Sequence, residues 1–224
     1  MKLNTTDELI TAIRRGDMVV LLDDDTESAN EGVVAVAAEH VDAARINFMA
    51  RNARGLICLA LTESRCRQLA LPPMVEQGRG EKANFTLSIE AAEGISTGIS
   101  AADRAHTVLA AVAQHARPED IVQPGHVFPL LVQPGGVLNR AGHTEAASDL
   151  ARLAGLEPAA VIADIMAPTG ELAGGAELLE FAAEHRLKIG SIADLIHFRA
   201  VNERTVKVVR EGEVQTDHGP FHLR

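Results

Sequence analysis

The sequence predicts an α+β domain, a mixed sheet flanked by helices. Three observations point there. Short apolar runs rich in Val, Ile and Leu recur along most of the chain, as strands do. Segments with helical spacing, opened by Ser or Thr and closed by Gly, interleave with them. Hairpin-like stretches interrupt that alternation, so the sheet is mixed rather than all parallel.

In chain order, Thr6 is placed to cap a helix over 8–15, which Gly16 ends. Residues 18–22 read as a strand cut short by Asp23-Asp24-Asp25, and 33–38 as a second strand. Residues 41–51 have helical spacing, with Ala44 and Phe48 on one side. The run 56–61 is continuously apolar, as in a strand buried on both faces. A short helix over 63–70 and an alternating strand over 85–90 follow. Ser100 to Asp103 resembles a capping box with Asp in place of Glu, opening a helix to Ala116. Strands at 127–132 and 158–165 flank a helix over 144–154 that Gly155 closes. A helix at 176–185 and another from Ser191 to about Phe198 complete the domain, assigned to residues 1–200. Residues 201–224 are polar and charged, alternate at 205–209, and read as a linker followed by the start of another segment.

Composition excludes several functions. The chain has 224 residues, 46% of them hydrophobic and 23% charged, ordinary for one globular domain. Its formal net charge of −10 would repel polyphosphate, and 3% aromatics leave few rings to stack on bases, so nucleic acid is not the expected partner. The apolar runs fall far short of a membrane span, and the N-terminus lacks a signal-peptide core. Two cysteines, Cys58 and Cys66, make neither a disulfide framework nor a zinc site and suit a reducing cytoplasm.

Polar density concentrates in the loops. Residues 23–32 crowd carboxylates after a strand, which either water or a divalent cation with oxygen ligands must screen. Arg140-Ala141-Gly142-His143-Thr144-Glu145 opens a helix, where free N–H groups and the dipole suit phosphate. Arg140 adds a forked donor, Thr144 a hydroxyl, and His143 a metal ligand or proton carrier, although a plain helix cap stays open. His126, held by Pro124-Gly125 at the mouth of an apolar strand, is either positioned for chemistry or a structural histidine. The loop 96–100 is also hydroxyl-rich before a helix, and capping alone explains Ser100.

These segments resemble the 3,4-dihydroxy-2-butanone 4-phosphate synthase family of riboflavin biosynthesis. The resemblance rests on GLICLAL (55–61), FTLSIEAAEGISTGISAADR (85–104), QPGHVFPL (123–130), QPGGVLNRAGHTEA (133–146) and SIADLIHFR (191–199). It implies that family's fold, magnesium, a homodimer, and conversion of ribulose 5-phosphate to 3,4-dihydroxy-2-butanone 4-phosphate and formate. By the same resemblance His126, Asp164, Glu31 and Cys58 fall on catalytic positions. Arg140, Ala141, Gly142, His143, Thr144 and Asp24 fall on substrate and phosphate positions, and His143 on the metal position. Residues 214–221 resemble the first strand of a GTP cyclohydrolase II domain, fused in bifunctional family members, so such a domain is an expected partner.

The departures are specific. The family's substrate Arg, metal-ligand Glu and substrate Asp fall at Ser28, Ala29 and Val33. Glu27, two residues before Ala29, is the carboxylate left to replace the lost ligand. The family's catalytic Glu is Asp164, a Cys is Ala163, a His is Asn52 and an Arg is Gly174; the loop 76–84 is short and lacks a threonine. The expectation is a sugar-phosphate lyase with impaired activity and weak or substrate-dependent magnesium. A different sugar-phosphate reaction and an inactive dimerising domain of a cyclohydrolase fusion stay open alternatives.

Overall fold

A computed structural model describes residues 3–23, 31–75, 84–203 and 211–223. The first helix, α1 (Thr6–Arg14), is capped by Thr5 rather than Thr6. Glu8 stands three residues after Thr5, and the two bond each other's backbone N–H at 3.3 and 2.9 Å, a complete capping box. The chain continues through β1 (Val19–Leu22), β2 (Gly32–Ala37), α2 (Ala43–Phe48), β3 (Cys58–Leu61), α3 (Glu63–Gln68) and β4 (Ile89–Ala91). Then come α4 (Ala101–Val112), β5 (Ile121–Leu131), α5 (His143–Leu153), β6 (Ala160–Asp164), α6 (Gly175–Glu184), β7 (Lys188–Ser191) and α7 (Ile192–Asn202). A hairpin, β8 (Gly212–Thr216) and β9 (Gly219–Leu223), follows.

The mixed sheet has seven strands in the order β4-β5-β3-β6-β2-β1-β7. Strands β3 and β5, and β1 and β7, run parallel; the other neighbours are antiparallel. Side-chain alternation divides the core into two layers. Val20, Val34, Leu59 and Val161 pack with Ile46, Cys66, Val108 and Leu178 from α2, α3, α4 and α6. Leu21, Val33, Cys58 and Ile162 pack on the other face with Leu9, Leu150 and Leu195 from α1, α5 and α7. Covering both faces explains why the strands read as unbroken apolar runs.

Several elements differ from expectation for local reasons. The helix expected at 41–51 is α2 capped by Asp42, followed by a π turn, Met49–Ala53, that ends on Arg54 at φ 71°. The strand expected at 85–90 survives only at its end; Phe85 and Thr86 make isolated bridges to Leu130 and Pro73. Helix α4 stops at Val112 because Ala113 turns to extended backbone, ψ 141°. Strand β5 starts six residues early. Ile89 pairs with Val127 but Glu90 with Val122, so residues 123–126 bulge out of the ladder, and Pro124 costs no ladder N–H there. Strand β7 was not expected, being too short to stand out between two helices. In the tail, Val214 faces Phe221 across the hairpin and both are exposed; the alternating stretch 205–209 lies outside the described residues. Among the described residues no helix is long and apolar enough to cross a membrane.

Candidate active site

Register brings the site together. Leu22 pairs with Gly32, Val33 with Asp164, and Cys58 with Ile162. Strands β1 and β6 therefore end where β2 and β3 begin. That places Asp23, Glu31, Cys58 and Asp164 at one end of the sheet. Helix α5 starts at the same end, with Gly142 as its N-cap and His143 as its first residue.

His143 is the centre of this group. Its Nε2 is buried and has no hydrogen-bond partner among the described residues. Burial holds its imidazole below the ordinary range, while the charges of Asp23 and Asp164 and a hydrogen bond to the Glu31 backbone pull the other way. Burial is the largest cause, so the ring is neutral near pH 7 and Nε2 can present a lone pair. A neutral imidazole with one nitrogen bonded and the other unpartnered is the form that ligates a metal. One histidine is not a complete cage, and no group of three or more metal-ligating side chains occurs among the described residues. Asp24 and Glu27, with Asp25, Ser28, Ala29 and Asn30, lie outside the described residues.

Asp164 is exposed at the end of β6, and its backbone is pinned from behind. Gly55 N donates to Asp164 O at 3.1 Å, and a Cβ on Gly55 would lie 2.6 Å from Asp164 N. Arg54 Nη2 donates to Ala167 O at 2.6 Å, fixing the chain beyond. Burial, and then the charge of Asp164, push the Cys58 thiol up to about 12. Cys58 is thus a neutral S–H at neutral pH rather than a thiolate nucleophile.

The expected phosphate segment lies beside His143. Helix α5 opens on Gly142 with no side-chain cap bond, which leaves first-turn N–H groups to a ligand. Thr144 is buried in that turn, and Ala141 is exposed just before it. Arg140 Nη1 lies 3.3 Å from Oε2 of Glu145, whose side chain is fully buried. Glu145 also accepts Gln133 N at 3.0 Å, so it ties the arginine to the loop before it. Five donors leave Arg140 capacity for an anion. Glu145 was visible in the sequence only as the helix's first-turn acid.

His126 sits in the β5 bulge and pairs through Nδ1 with Oε1 of Glu90 on β4. Glu90 is the second residue missed by sequence reasoning; nothing local links positions 36 apart. Gly125 N donates to Ser88 Oγ at 3.1 Å and anchors the bulge. A separate cavity of 530 Å³, lined by Met18, Arg45, Phe48 and Lys188 among others, lies at the opposite end of β1 and β7 and contains none of the expected site residues.

Known proteins match this architecture closely. The 3,4-dihydroxy-2-butanone 4-phosphate synthase family pattern matches residues 7–198. A Pseudomonas aeruginosa protein named 3,4-dihydroxy-2-butanone 4-phosphate synthase is 56% identical over all of this chain and 61% of its own length. The Aquifex aeolicus riboflavin biosynthesis protein RibBA is 51% identical over 99% of this chain and 55% of its own. The chain thus spans about three fifths of the length of these relatives. The crystal structure of a two-domain synthase from A. baumannii superposes with a TM-score of 0.91 at 55% identity, covering 98% of this chain and 65% of that one. A synthase in complex with two magnesium ions superposes with a TM-score of 0.85 at 37% identity, covering 90% and 99% of the two chains. Family pattern, identity and fold agree, and the chain belongs to the 3,4-dihydroxy-2-butanone 4-phosphate synthase family.

Proposed function

We propose that the protein is a lyase that converts ribulose 5-phosphate to 3,4-dihydroxy-2-butanone 4-phosphate and formate, more slowly than its relatives. The observation that carries this reading is the buried, unpartnered Nε2 of His143, set among Asp23, Glu31 and Asp164 and adjoining Arg140 and Thr144. A phosphate grip and a cation ligand side by side suit a phosphorylated sugar whose carbonyl must be polarised.

The unpartnered His143 Nε2 would be the described ligand for a magnesium ion, and Glu27 of the acidic loop and substrate oxygens would have to supply the hard ligands. When bound, the ion supplies a Lewis acid that polarises the sugar's carbonyl. The protein's own groups do the rest. Arg140, the first-turn N–H groups of α5 and the Thr144 hydroxyl hold the phosphate. Asp24, in the acidic loop, would hold substrate hydroxyls. Asp164, an exposed carboxylate, and Glu31 accept and return protons beside that carbonyl. His126, oriented by Glu90, carries protons on the other side of the substrate. Cys58 stays a neutral wall behind Asp164. A homodimer, and a second domain beginning at residues 201–224 as a cyclohydrolase II-like segment, complete this reading; the two-domain synthase among the solved structures, 65% of which this chain covers, supports a second domain.

The departures set the rate. Loss of the family's arginine, glutamate and aspartate at Ser28, Ala29 and Val33 should slow formate release at least roughly a hundredfold, about 2.7 kcal/mol in barrier. The test is formate production from ribulose 5-phosphate and magnesium, with the P. aeruginosa relative alongside. Ser28→Arg with Ala29→Glu should recover part of the rate. Val33→Asp belongs in a second round, because Val33 is packed in the apolar layer with Leu21, where a carboxylate would be buried at a cost. Relative-like turnover in the unmodified protein would overturn the impairment. No formate before or after restoration would overturn the lyase assignment.

A further inference from the structure

We propose that Arg199, on α7, is a positioning residue that sets the shape of the phosphate-gripping loop; this rests on the sugar-phosphate reading above. Arg199 closes the SIADLIHFR stretch, to which no role has been given, and it is buried. Its guanidinium reaches three segments. Nη1 donates to Gly135 O at 2.8 Å and to Asp149 Oδ2 at 2.6 Å. Nε and Nη2 donate to Glu203 Oε2 at 3.1 and 2.8 Å. Asp149, on α5, uses the same Oδ2 to accept Val137 N at 2.8 Å. The pair therefore grips both sides of Gly136.

That grip leads directly to Arg140. Gly135 and Gly136 sit at φ 91° and 62°, a left-handed pair that favours glycine. A Cβ on Gly136 would come within 2.6 Å of Asp149 Cγ, so the loop lies directly on the carboxylate. Gly136 O in turn accepts Asn139 N at 3.0 Å and Arg140 N at 3.1 Å. Arg199 thus fixes Gly135 and Asp149, these fix residue 136, and residue 136 fixes the backbone of Arg140. A buried ion pair is weak evidence for stability, because desolvation offsets its attraction. Its use here is geometric: a planar fork holds three acceptors at once, which a lysine ammonium on a single flexible stem does not reproduce.

The test is Arg199→Lys, which keeps the charge and the bond to Asp149. Losing one net hydrogen bond's worth of loop order, about 1 kcal/mol, is about fivefold. We expect Arg199→Lys to raise the KM for ribulose 5-phosphate about fivefold and to weaken inorganic phosphate binding in calorimetry by the same factor. The kcat should stay within about twofold. Glu203→Gln, which cuts only the outer half of the fork, should leave both constants within about twofold of the unmodified protein. An Arg199→Lys protein that binds phosphate like the unmodified one would overturn the proposal, as would a fall in kcat at unchanged KM. A protein that releases no formate before or after the Ser28→Arg, Ala29→Glu restoration yet binds phosphate, more weakly after Arg199→Lys, would overturn the lyase reading and support this one. Failure of the unmodified protein to bind phosphate would overturn both.

Discussion

Gly55→Ala tests how closely the scaffold holds the proposed proton-transfer group. The new Cβ would sit 2.6 Å from Asp164 N, whereas real Cβ atoms stay beyond 3.0 Å, so strand β6 or the π turn must give way by at least 0.4 Å. Neither neighbour is the end of a flexible side chain. Overpacking of this kind costs about 1–3 kcal/mol. Weakening the Gly55 N–H bond to Asp164 O adds about 1 kcal/mol. In a chain of this size each kcal/mol lowers Tm by about 2–4 °C, so calorimetry should show a drop of roughly 5–15 °C. Activity should fall further than stability explains. A misplacement of about 1 Å can cost about a hundredfold, and a shift of half that scale should cost about tenfold in kcat, read from formate release at saturating substrate below the new Tm. A Gly55→Ala protein that melts within about 1 °C of its parent and turns over normally would refute the argument that this glycine exists to let Asp164 approach.

Other consequences follow. Magnesium should bind weakly without substrate, because His143 is a poor partner for a hard cation; calorimetric titration showing tight binding to the substrate-free protein would mean the acidic loop has supplied Glu27 or Glu31. Arg140→Ala should weaken ribulose 5-phosphate binding by about 1.5–3 kcal/mol, the range for a hydrogen bond to a charged group, and unchanged calorimetric affinity would remove Arg140 from the site. Burial pushes Cys58 to about 12 and Cys66 to about 11, from 9.0 for an ordinary thiol. Because these folded-state values are raised, the stability they carry is intact below pH 9 and lost as pH rises toward 11 and 12. Thermal melts should therefore fall over that range, and the fall should flatten in a Cys58→Ala, Cys66→Ala protein. Thr5→Ala, which opens the capping box on α1, should cost about 1 kcal/mol in chemical denaturation.

Much of the fold was legible because its signals are local. The apolar strands, the Ser100 and Ser191 caps, and Gly155 at φ 80° behind α5 all sit where the sequence puts them. What it could not show depends on pairing at a distance. The β5 bulge exists because Glu90 pairs with Val122 after Ile89 has paired with Val127, and no window of sequence contains both strands. The short β7 is a strand because β1 offers it a parallel edge. Thr5 rather than Thr6 is the cap because Glu8 stands three residues from the former, the spacing a capping box needs. At the candidate site, Arg140–Thr144 is one continuous stretch, so the sequence alone brings its residues together. Asp149 and Arg199 reach the loop before Arg140 from later in the chain, and Glu90 reaches His126 from a different strand, contacts that no local stretch of sequence contains.

The charges at the candidate site bear on why the proposed phosphate grip and cation position would belong together. Asp23, Glu31 and Asp164 all act on one imidazole that burial keeps neutral, so His143 cannot offset them. The N-terminus of α5 contributes only about half a positive charge, and it points toward the phosphate segment. A phosphorylated sugar entering beside Arg140 brings roughly two more negative charges. A carboxylate and a phosphate charge about 4 Å apart repel by about 1 kcal/mol in water and by several where water is excluded. A divalent cation held at Nε2 of His143 would convert that repulsion into attraction for both partners. Each ligand then raises the affinity of the other by the same factor. Weak magnesium binding to the empty protein and firm binding with substrate are two readings of a single coupling. On the proposed reading, the lack of a carboxylate at Ala29 would weaken the cation's hold on the protein and leave more of that coupling to the substrate.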